Sequence, residues 1–441
     1  MHDFGLIGIT AAGFAIAAPL AEAQPLPGGV ESIEVLARGV FNGPGFNLPP
    51  LSQVTNIVPR LNDSGSVVFS YFDENIDRRI WVDGVTLPVG PFFSTSDPHI
   101  DSAGNAVWAV STLDPNTSNW GVWRYDAGSA AATRLTTAPL GSSGWGQPNI
   151  NDSGAIAYRA GFQFDDAIGV FDNGGYTPIE VDDGTPYTFF TSGIGFNNAG
   201  QISARVFQAS GIDGVAIFET GGGSALRIAD DTLSPSGATI TGFLNGTDLN
   251  NASQLATVGF KSGGAEVLRV AADGSITVIA DDATGGPVSD IQTFNPVLND
   301  AGWVAFRGLN AAGDEAVFVG DGTDLLEIAA VGTAVSTDAG PGVITGFSGG
   351  LDINAPGQVL VNAALQSAAG GSLGRGILRV DLAAPEACAC DVNGDTLCDG
   401  GDFFAWVSAF GVQAPQCDVN GDTLCDGGDF FAWVSAFGEG C

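Results

Sequence analysis

The 441-residue sequence predicts a mainly β protein: a seven-bladed β-propeller-like repeat domain followed by a small α-helical module. Three observations carry that expectation. A short Asn/Asp turn phrase returns seven times, hairpin signals lie between the returns, and a 22-residue segment near the carboxyl terminus recurs without a substitution. Composition agrees, because 65 Gly and a single Lys, Lys261, suit many tight turns and few long surface helices.

The phrase first occurs as Leu61-Asn62-Asp63-Ser64-Gly65 and then as Ile100-Asp101-Ser102-Ala103-Gly104. Its first polar positions are 62, 101, 151, 197, 250, 299 and 354, separated by 39, 50, 46, 53, 49 and 55 residues, which marks a repeat array. The Asn or Asp side chain can accept a hydrogen bond from a backbone N–H two residues on, while the Gly supplies a positive φ. Ser253 replaces that Gly in the fifth unit. Beyond the turn apolar residues alternate, as Val67 and Phe69 or Val304 and Phe306, so one face of a strand is expected to be buried.

A second strand, such as Arg79-Ile80-Trp81-Val82, passes through a D-G or N-G step into a third, such as Leu325-Leu326-Glu327-Ile328. A fourth comes from the segment leading into the next phrase, for example residues 291–297. Four antiparallel strands per unit make one propeller blade. At the ends, residues 33–38 resemble the third strand that the last unit, stopping at 376–381, lacks. The amino-terminal strand is therefore expected to complete the last blade and close the ring. An open β-solenoid with polar caps is the structural alternative.

Asn299-Asp300-Ala301-Gly302-Trp303-Val304-Ala305-Phe306 matches every fixed position of an N-x-x-G-x-x-A-F repeat, and the other units keep part of it. On these residues the body, 24–383, resembles the tandem-repeat bacterial surface and secreted proteins named for that repeat, a resemblance that implies no particular activity. The amino terminus agrees with export. Residues 4–20 are almost wholly apolar and precede Ala21-Glu22-Ala23, so residues 1–23 read as a signal peptide. The run is shorter than the roughly 20 residues a membrane span needs, so no stable transmembrane segment is expected in the mature chain.

Composition changes after Ala383-Ala384-Pro385, and residues 386–441 form a second unit. Residues 390–411 recur at 417–438. In the first copy Asp391, Asn393, Asp395, Asp399 and Asp402 hold positions 1, 3, 5, 9 and 12 of a loop, with the Leu397 carbonyl at position 7. Asp418, Asn420, Asp422, Asp426 and Asp429, with the Leu424 carbonyl, repeat them. This is the EF-hand spacing, which aims hard oxygen donors at one Ca²⁺, so two calcium sites are expected. Thr396 and Thr423 occupy position 6, where a sharp turn favours Gly, and are expected to strain the loops.

After each loop, Phe403, Trp406, Val407 and Phe410, and again Phe430, Trp433, Val434 and Phe437, follow helical spacing. The two apolar faces are expected to pack together. All six cysteines lie between Cys388 and Cys441, in keeping with an oxidising compartment. Cys390 and Cys398 bracket one loop and Cys417 and Cys425 the other, so a local staple in each, with Cys388 and Cys441 tying the ends, is preferred among the roughly 15 connectivities open to six cysteines.

This tail is similar to a type I dockerin, which also uses Asp at loop position 12. The resemblance implies calcium-dependent attachment to a cohesin-like or other cell-envelope protein.

With 14 basic and 49 acidic residues the formal charge is −35, so a nucleic-acid backbone would be repelled. His99 would be the one His of the mature chain, and no Cys lies before residue 388. That argues against a Ser-His-Asp arrangement or a multi-His zinc site, and no catalytic residue is assigned. His99 itself reads as a surface or turn residue. Trp108, Trp120, Trp123 and Trp145 either stack on sugar rings or, the preferred reading, fill gaps between blades. The function expected is a non-catalytic extracellular or cell-surface interaction or scaffold protein with a calcium-dependent carboxyl-terminal attachment module. The alternatives are a dockerin-bearing carbohydrate-active enzyme, glycosidase or polysaccharide lyase, and a carbohydrate-binding propeller, each with a polysaccharide partner.

Overall fold

The computed structural model describes residues 26, 28–111, 114, 116, 118–136, 142–162, 166–172, 175–283, 285–383, 390, 392–393, 400–412, 414–420 and 422–439. Residues 1–23, where a signal peptide is expected, lie outside the described residues.

Seven antiparallel sheets follow one another around a ring. The sixth is representative: Val297–Leu298 pairs with Val304–Asn310, that with Glu315–Gly320, and that with Leu325–Ala330. The Asn phrase turns the chain from the innermost strand into the second. In the fifth unit Ser253 adopts the positive φ of 59° that Gly supplies elsewhere, so the turn survives the substitution.

Closure follows the expectation from the chain ends. Val30–Gly39 pairs antiparallel with Ser372–Leu382 and becomes the outer strand of the seventh sheet, with Val35 opposite Leu378. Arg38, only 4% exposed, fastens it: Nε and Nη2 donate to the Asp338 carboxylate at 2.8 and 2.7 Å, and Nη1 to the Leu373 carbonyl at 2.6 Å. The architecture is a closed seven-bladed propeller, not an open solenoid.

The expectation of one buried face per strand is corrected for the strands that follow the Asn phrases, which are buried on both. Val67–Phe72 is covered along all but its last residue, and Ala106–Val110 throughout. The reason lies in how blades stack. Among the described residues the apolar core of the propeller divides into seven clusters, each joining two neighbouring blades, as where Val107 and Val122 of the second blade meet Ile156 and Tyr158 of the third. A middle strand therefore has a blade on either side, whereas an outer strand such as Ser224–Ala229 faces solvent over most of its length. Seven residues past each Asn or Asp stand Phe69, Trp108, Tyr158, Ala204, Thr257, Phe306 and Val361, all at most 1% exposed.

In the tail, Gly400–Val412 (α1) and Gly427–Glu439 (α2) pack through Phe403, Trp406, Phe430 and Trp433, with ring centroids 5.5 to 6.5 Å apart. The two copies are tied reciprocally: Trp406 Nε1 donates to the Cys417 carbonyl at 3.1 Å, and Trp433 Nε1 to the Cys390 carbonyl at 2.9 Å. The remaining positions of the expected faces, Val407, Phe410, Val434 and Phe437, are exposed, because one short helix covers only the centre of the other. Cys417 and Cys425 form the expected staple, and Cys390 is also disulfide-bonded. The pairings expected of Cys388, Cys398 and Cys441 fall on residues outside the described ones. Among the described residues no helix is long and apolar enough to cross a membrane.

Candidate functional site

The innermost strands line a central channel, and the Asn phrases form its narrow end. Each phrase does more than cap its own turn. Asn250 Oδ1 accepts the N–H groups of Ala252 and Gln254 at 3.1 and 2.9 Å, while its Nδ2 donates at 3.0 Å to the carbonyl of Asn299, the same position in the next blade. Asn299 donates likewise to Asn354, Asn354 to Asn62, Asn62 to Asp101, Asn151 to Asn197 and Asn197 to Asn250, at 2.8 to 3.2 Å. Asp101, which has no side-chain N–H, breaks the ring toward Asn151. That junction keeps only the neighbouring bond, from the Ser102 N–H to Asp152 Oδ1 at 2.8 Å, whose equivalents at four other junctions accompany the amide bond. All seven side chains are at most 6% exposed.

Two residues before five of these positions, at Arg60, His99, Asn149, Asp248 and Asp352, polar side chains form a second tier. Asp352 Oδ2 accepts the Leu61 N–H at 2.7 Å and its Oδ1 pairs with Arg60 at 3.0 Å. Asp248 Oδ2 accepts the Leu298 N–H at 2.8 Å, and Asn149 Nδ2 donates to the Ile194 carbonyl at 3.1 Å. His99 Nδ1 accepts the Ile150 N–H at 3.4 Å. The surface or turn reading of His99 is thereby corrected: it starts the second blade's innermost strand, His99–Ile100, and is half-buried in the channel. Burial, aided by Arg60, drops its pKa to about 3, so the ring is neutral. Burial pushes Asp352 up to about 6 despite Arg60, and raises Asp248 as well. The narrow mouth encloses about 160 Å³.

The opposite mouth is built differently. Between its two paired pieces each innermost strand leaves the ladder for a few residues, as between Ile291 and Val297 or between Phe347 and Asp352. These bulges nest against one another. Gly246 leaves its missing Cβ position to the Asn295 amide, so a larger residue would collide there. The bulges of blades one, three, six and seven enclose a cavity of about 270 Å³ lined by Asn56, Val58, Gln147, Phe294, Asn295 and Leu351 among others, with Arg60 at its inner end. Arg60 also lines the narrow mouth, so it stands between the two. Sequence reasoning missed this cavity. The recurring small and polar words before each phrase, such as Phe294-Asn295-Pro296 and Ser348-Gly349-Gly350, were its signal.

Trp108 is fully buried and stacks on Trp123 at 6.2 Å, which supports the packing reading for that pair. Trp120 donates from Nε1 to the Asp114 carbonyl at 2.7 Å. The Trp145 side chain is outside the described residues.

Of the expected calcium loops, the second is described at all six expected ligand positions. Asp429 is fully buried and accepts the N–H groups of Asp426 and Asn420 at 2.7 and 3.2 Å, bonds that hold its carboxyl below the usual carboxylate range. Asp418 Oδ2 accepts the Thr423 N–H at 2.9 Å, which closes the loop over its first six positions. Asn420, Asp422 and Asp426 cap backbone N–H groups within the loop, and Leu424 is exposed. Asp418 Oδ1 is buried with no hydrogen-bond partner. In the first loop Asp402 occupies the place of Asp429, accepting from the Val392 and Asn393 N–H groups at 2.9 and 3.1 Å. Asp391, Asp395, Leu397 and Asp399 lie outside the described residues. Among the described residues no three His, Cys, Asp or Glu side chains are gathered closely enough to hold a metal ion.

No protein-family model matches the chain, and no curated protein matches it. Among solved structures it is similar to virginiamycin B lyase from Staphylococcus aureus, at 10% identity over 80% of this chain and 100% of that one, with a TM-score of 0.42. An oligogalacturonate lyase in complex with manganese matches at 11% identity over 84% and 97%, with a TM-score of 0.46. The fucose-specific lectin from Aleuria aurantia matches at 10% identity over 67% and 97%, with a TM-score of 0.37. Likenesses this distant transfer neither a residue nor an activity to this chain.

Proposed function

We propose that the chain is a non-catalytic carbohydrate-binding protein of the cell exterior, whose propeller takes a polysaccharide and whose tail attaches it, with calcium, to a cohesin-like or other envelope partner. The observation that carries this reading is the division of labour along the channel. At the narrow end the ionisable side chains Arg60, His99, Asp248 and Asp352 are engaged in joints between blades. At the other end an open cavity combines apolar wall with amide groups, the mixture that binds oxygen-rich ligands.

For the tail, Asp418, Asn420, Asp422, Asp426, Asp429 and the Leu424 carbonyl would hold Ca²⁺ in the second loop, and their equivalents in the first. The donor set is all oxygen, as calcium requires, and the unpartnered Asp418 Oδ1 is the kind of buried acceptor a cation satisfies. Bound calcium would offset part of the charge of a module whose residues 386–441 carry ten acidic and no basic side chains.

The enzyme reading draws on Asp352, whose pKa near neutrality suits a general acid. Against it, both oxygens of that carboxyl are committed, one to Arg60 and one to the Leu61 N–H. The test is sedimentation of the full chain with insoluble xylan, cellulose, chitin and pectin, together with product analysis. Retention without released sugar supports binding. Released oligosaccharide that disappears in Asp352→Asn would favour the enzyme, and no retention on any polymer would reject the carbohydrate reading.

A further inference from the structure

The fifth blade gathers charge where its neighbours have none. Lys261 ends the second strand, Leu255–Lys261, Glu266 lies in the third, Gly264–Val270, and Asp281 ends the fourth, Ile276–Asp281. Register places Glu266 directly opposite Asp281. The same pair of positions is Ala316 and Ala330 in the sixth blade, Gly214 and Ala229 in the fourth, and Ala167 and Val181 in the third. A blade of this repeat is therefore built without the two carboxylates, and the fifth carries them beside the one Lys of the whole chain.

The three side chains are closely joined. Glu266 is fully buried; its Oε2 accepts the Ser234 hydroxyl at 2.5 Å, and its Oε1 accepts from the Ser236 hydroxyl and, at 3.1 Å, from Lys261 Nζ. The Lys261 side chain, 10% exposed, also brings Nζ to 2.5 Å from Asp281 Oδ1, nearer than the roughly 2.7–2.9 Å of a charge-assisted hydrogen bond. Every other ion pair among the described residues uses Arg, as Arg159 with Asp166 and Arg205 with Asp213. Arg serves an ion pair at least as well as Lys, but its guanidinium stays protonated and is no nucleophile. An amine is what distinguishes Lys at this place.

We propose that Lys261 Nζ and Asp281 Cγ join in an intramolecular isopeptide bond, with Glu266 moving the protons. Burial works to strip Lys261 of its proton, but the two carboxylates outweigh it and raise its pKa, so the amine is released inside the cluster and not to solvent. The ammonium hands one proton to Glu266, and the freed Nζ lone pair attacks Asp281 Cγ to form the N–C bond. Glu266 relays that proton, and then a second from Nζ, to one Asp281 oxygen. The C–O bond breaks and water leaves. An ammonium and a carboxylate have become an amide and one water, so no co-reactant is consumed and Glu266 ends as it began. The strand frame holds the reacting atoms together, which supplies a high effective concentration. Asp281 is 25% exposed and lines an open hollow, so the water has a way out. The product ties the second strand of the blade to the fourth across the third.

The experiment uses the single Lys. Endoproteinase Lys-C cuts only after a free Lys, so the full chain, reduced and denatured, should resist it. Trypsin should release residues 228–269 and 270–307 as one branched species, lighter than the two peptides together by one water. Asp281→Ala and Glu266→Gln should each restore a complete single cut after residue 261. If one variant does not fold, the other and the parent carry the test. A parent chain cut after Lys261, with tryptic peptides of full mass, would overturn the proposal and leave an ion pair only. A crosslink that persists in Asp281→Ala would overturn the assigned partner, and one that forms fully in Glu266→Gln would overturn the proton route.

Discussion

Asn354 Nδ2 donates to the backbone carbonyl of Asn62 at 2.9 Å and so joins the seventh blade to the first across 292 residues of chain. The same bond recurs at five of the six other blade junctions, and the pairing of Val30–Gly39 with Ser372–Leu382 closes the ring independently at its rim. The propeller is thus closed twice, once at the axis by side-chain amides and once at the periphery by a strand.

The inner closure gives opposite expectations for two substitutions. Asn354→Asp removes the inter-blade donor, leaves the Asn62 carbonyl with only the Gly65 N–H at 3.0 Å and places a carboxylate beside it, so a loss of about 1–3 kcal/mol is expected. Asp101→Asn supplies the donor that the junction to Asn151 lacks, and the Asn105 amide, which donates to Asp101 Oδ2 at 2.8 Å, can turn to present its oxygen, giving up only the exposed bond that this oxygen accepts from the Ala127 N–H. That variant should be as stable as the parent or more so. Chemical denaturation of the two proteins checks both signs.

The outer closure depends on Arg38. Replacing it with Met keeps much of the buried stem but leaves Asp338 and the Leu373 carbonyl without their donor. Asp338 is 24% exposed and can be rehydrated, so the loss should fall near 1–3 kcal/mol, below the value for a fully buried pair. The strand 30–39 should then become the earliest site of amide exchange, which mass spectrometry can follow.

His99 and Asp352 set opposing pH dependences. His99 titrates near 6.5 when unfolded and about 3 when folded, so the unfolded chain binds the extra proton, and this contribution to stability falls as pH drops below about 6.5. Asp352 titrates near 3.8 unfolded and about 6 folded; the native state then holds the extra proton, and its contribution falls as pH rises through the interval from about 4 to 6. Each slope is at most about 1.4 kcal/mol per pH unit, and over that interval the two cancel. Relative to the parent, Asp352→Asn should lose stability as pH falls from 6 to 4, and His99→Gln should lose it as pH rises over the same range. Melting temperatures at four or five pH values distinguish the two; parallel curves for both variants would contradict the assignment.

The seven turns were legible because an Asx side chain and a Gly make a turn within five residues, whatever surrounds them. The ring they form was not, because each Asn Nδ2 finds its partner in the neighbouring blade, 39 to 55 residues on or, for Asn354, 292 residues back. A clue existed nonetheless. An Asx turn needs only an acceptor, yet six of the seven phrases use Asn in a chain with 49 acidic residues, and only a donor role separates Asn from Asp there. His99 beside Pro98 looked like a turn residue, although aligning the units places it level with Arg60 and Asp352 in the channel. Gln147 and Asn295 escaped notice because they lie in bulges, where the period-two alternation that identifies a strand stops.

Thr423 offers the sharpest test of the calcium reading. It sits at loop position 6 with a φ of 72°, a left-handed conformation that a β-branched residue adopts at a cost of about 1–3 kcal/mol, and its N–H closes the loop onto Asp418. Gly relieves that strain but gives the unfolded loop more freedom, worth about 0.4–1 kcal/mol in the other direction. The disulfide between Cys417 and Cys425 limits that freedom, since both ends of the loop remain tied. Relief of strain should therefore win, and Thr423→Gly should tighten calcium binding at the second loop by several-fold, while Asp418→Ala should abolish it there. Titration of the full chain with Ca²⁺, followed through the fluorescence of Trp406 and Trp433, reads the change; a Gly variant that binds more weakly than the parent would show that Thr423 is not held there against its preference.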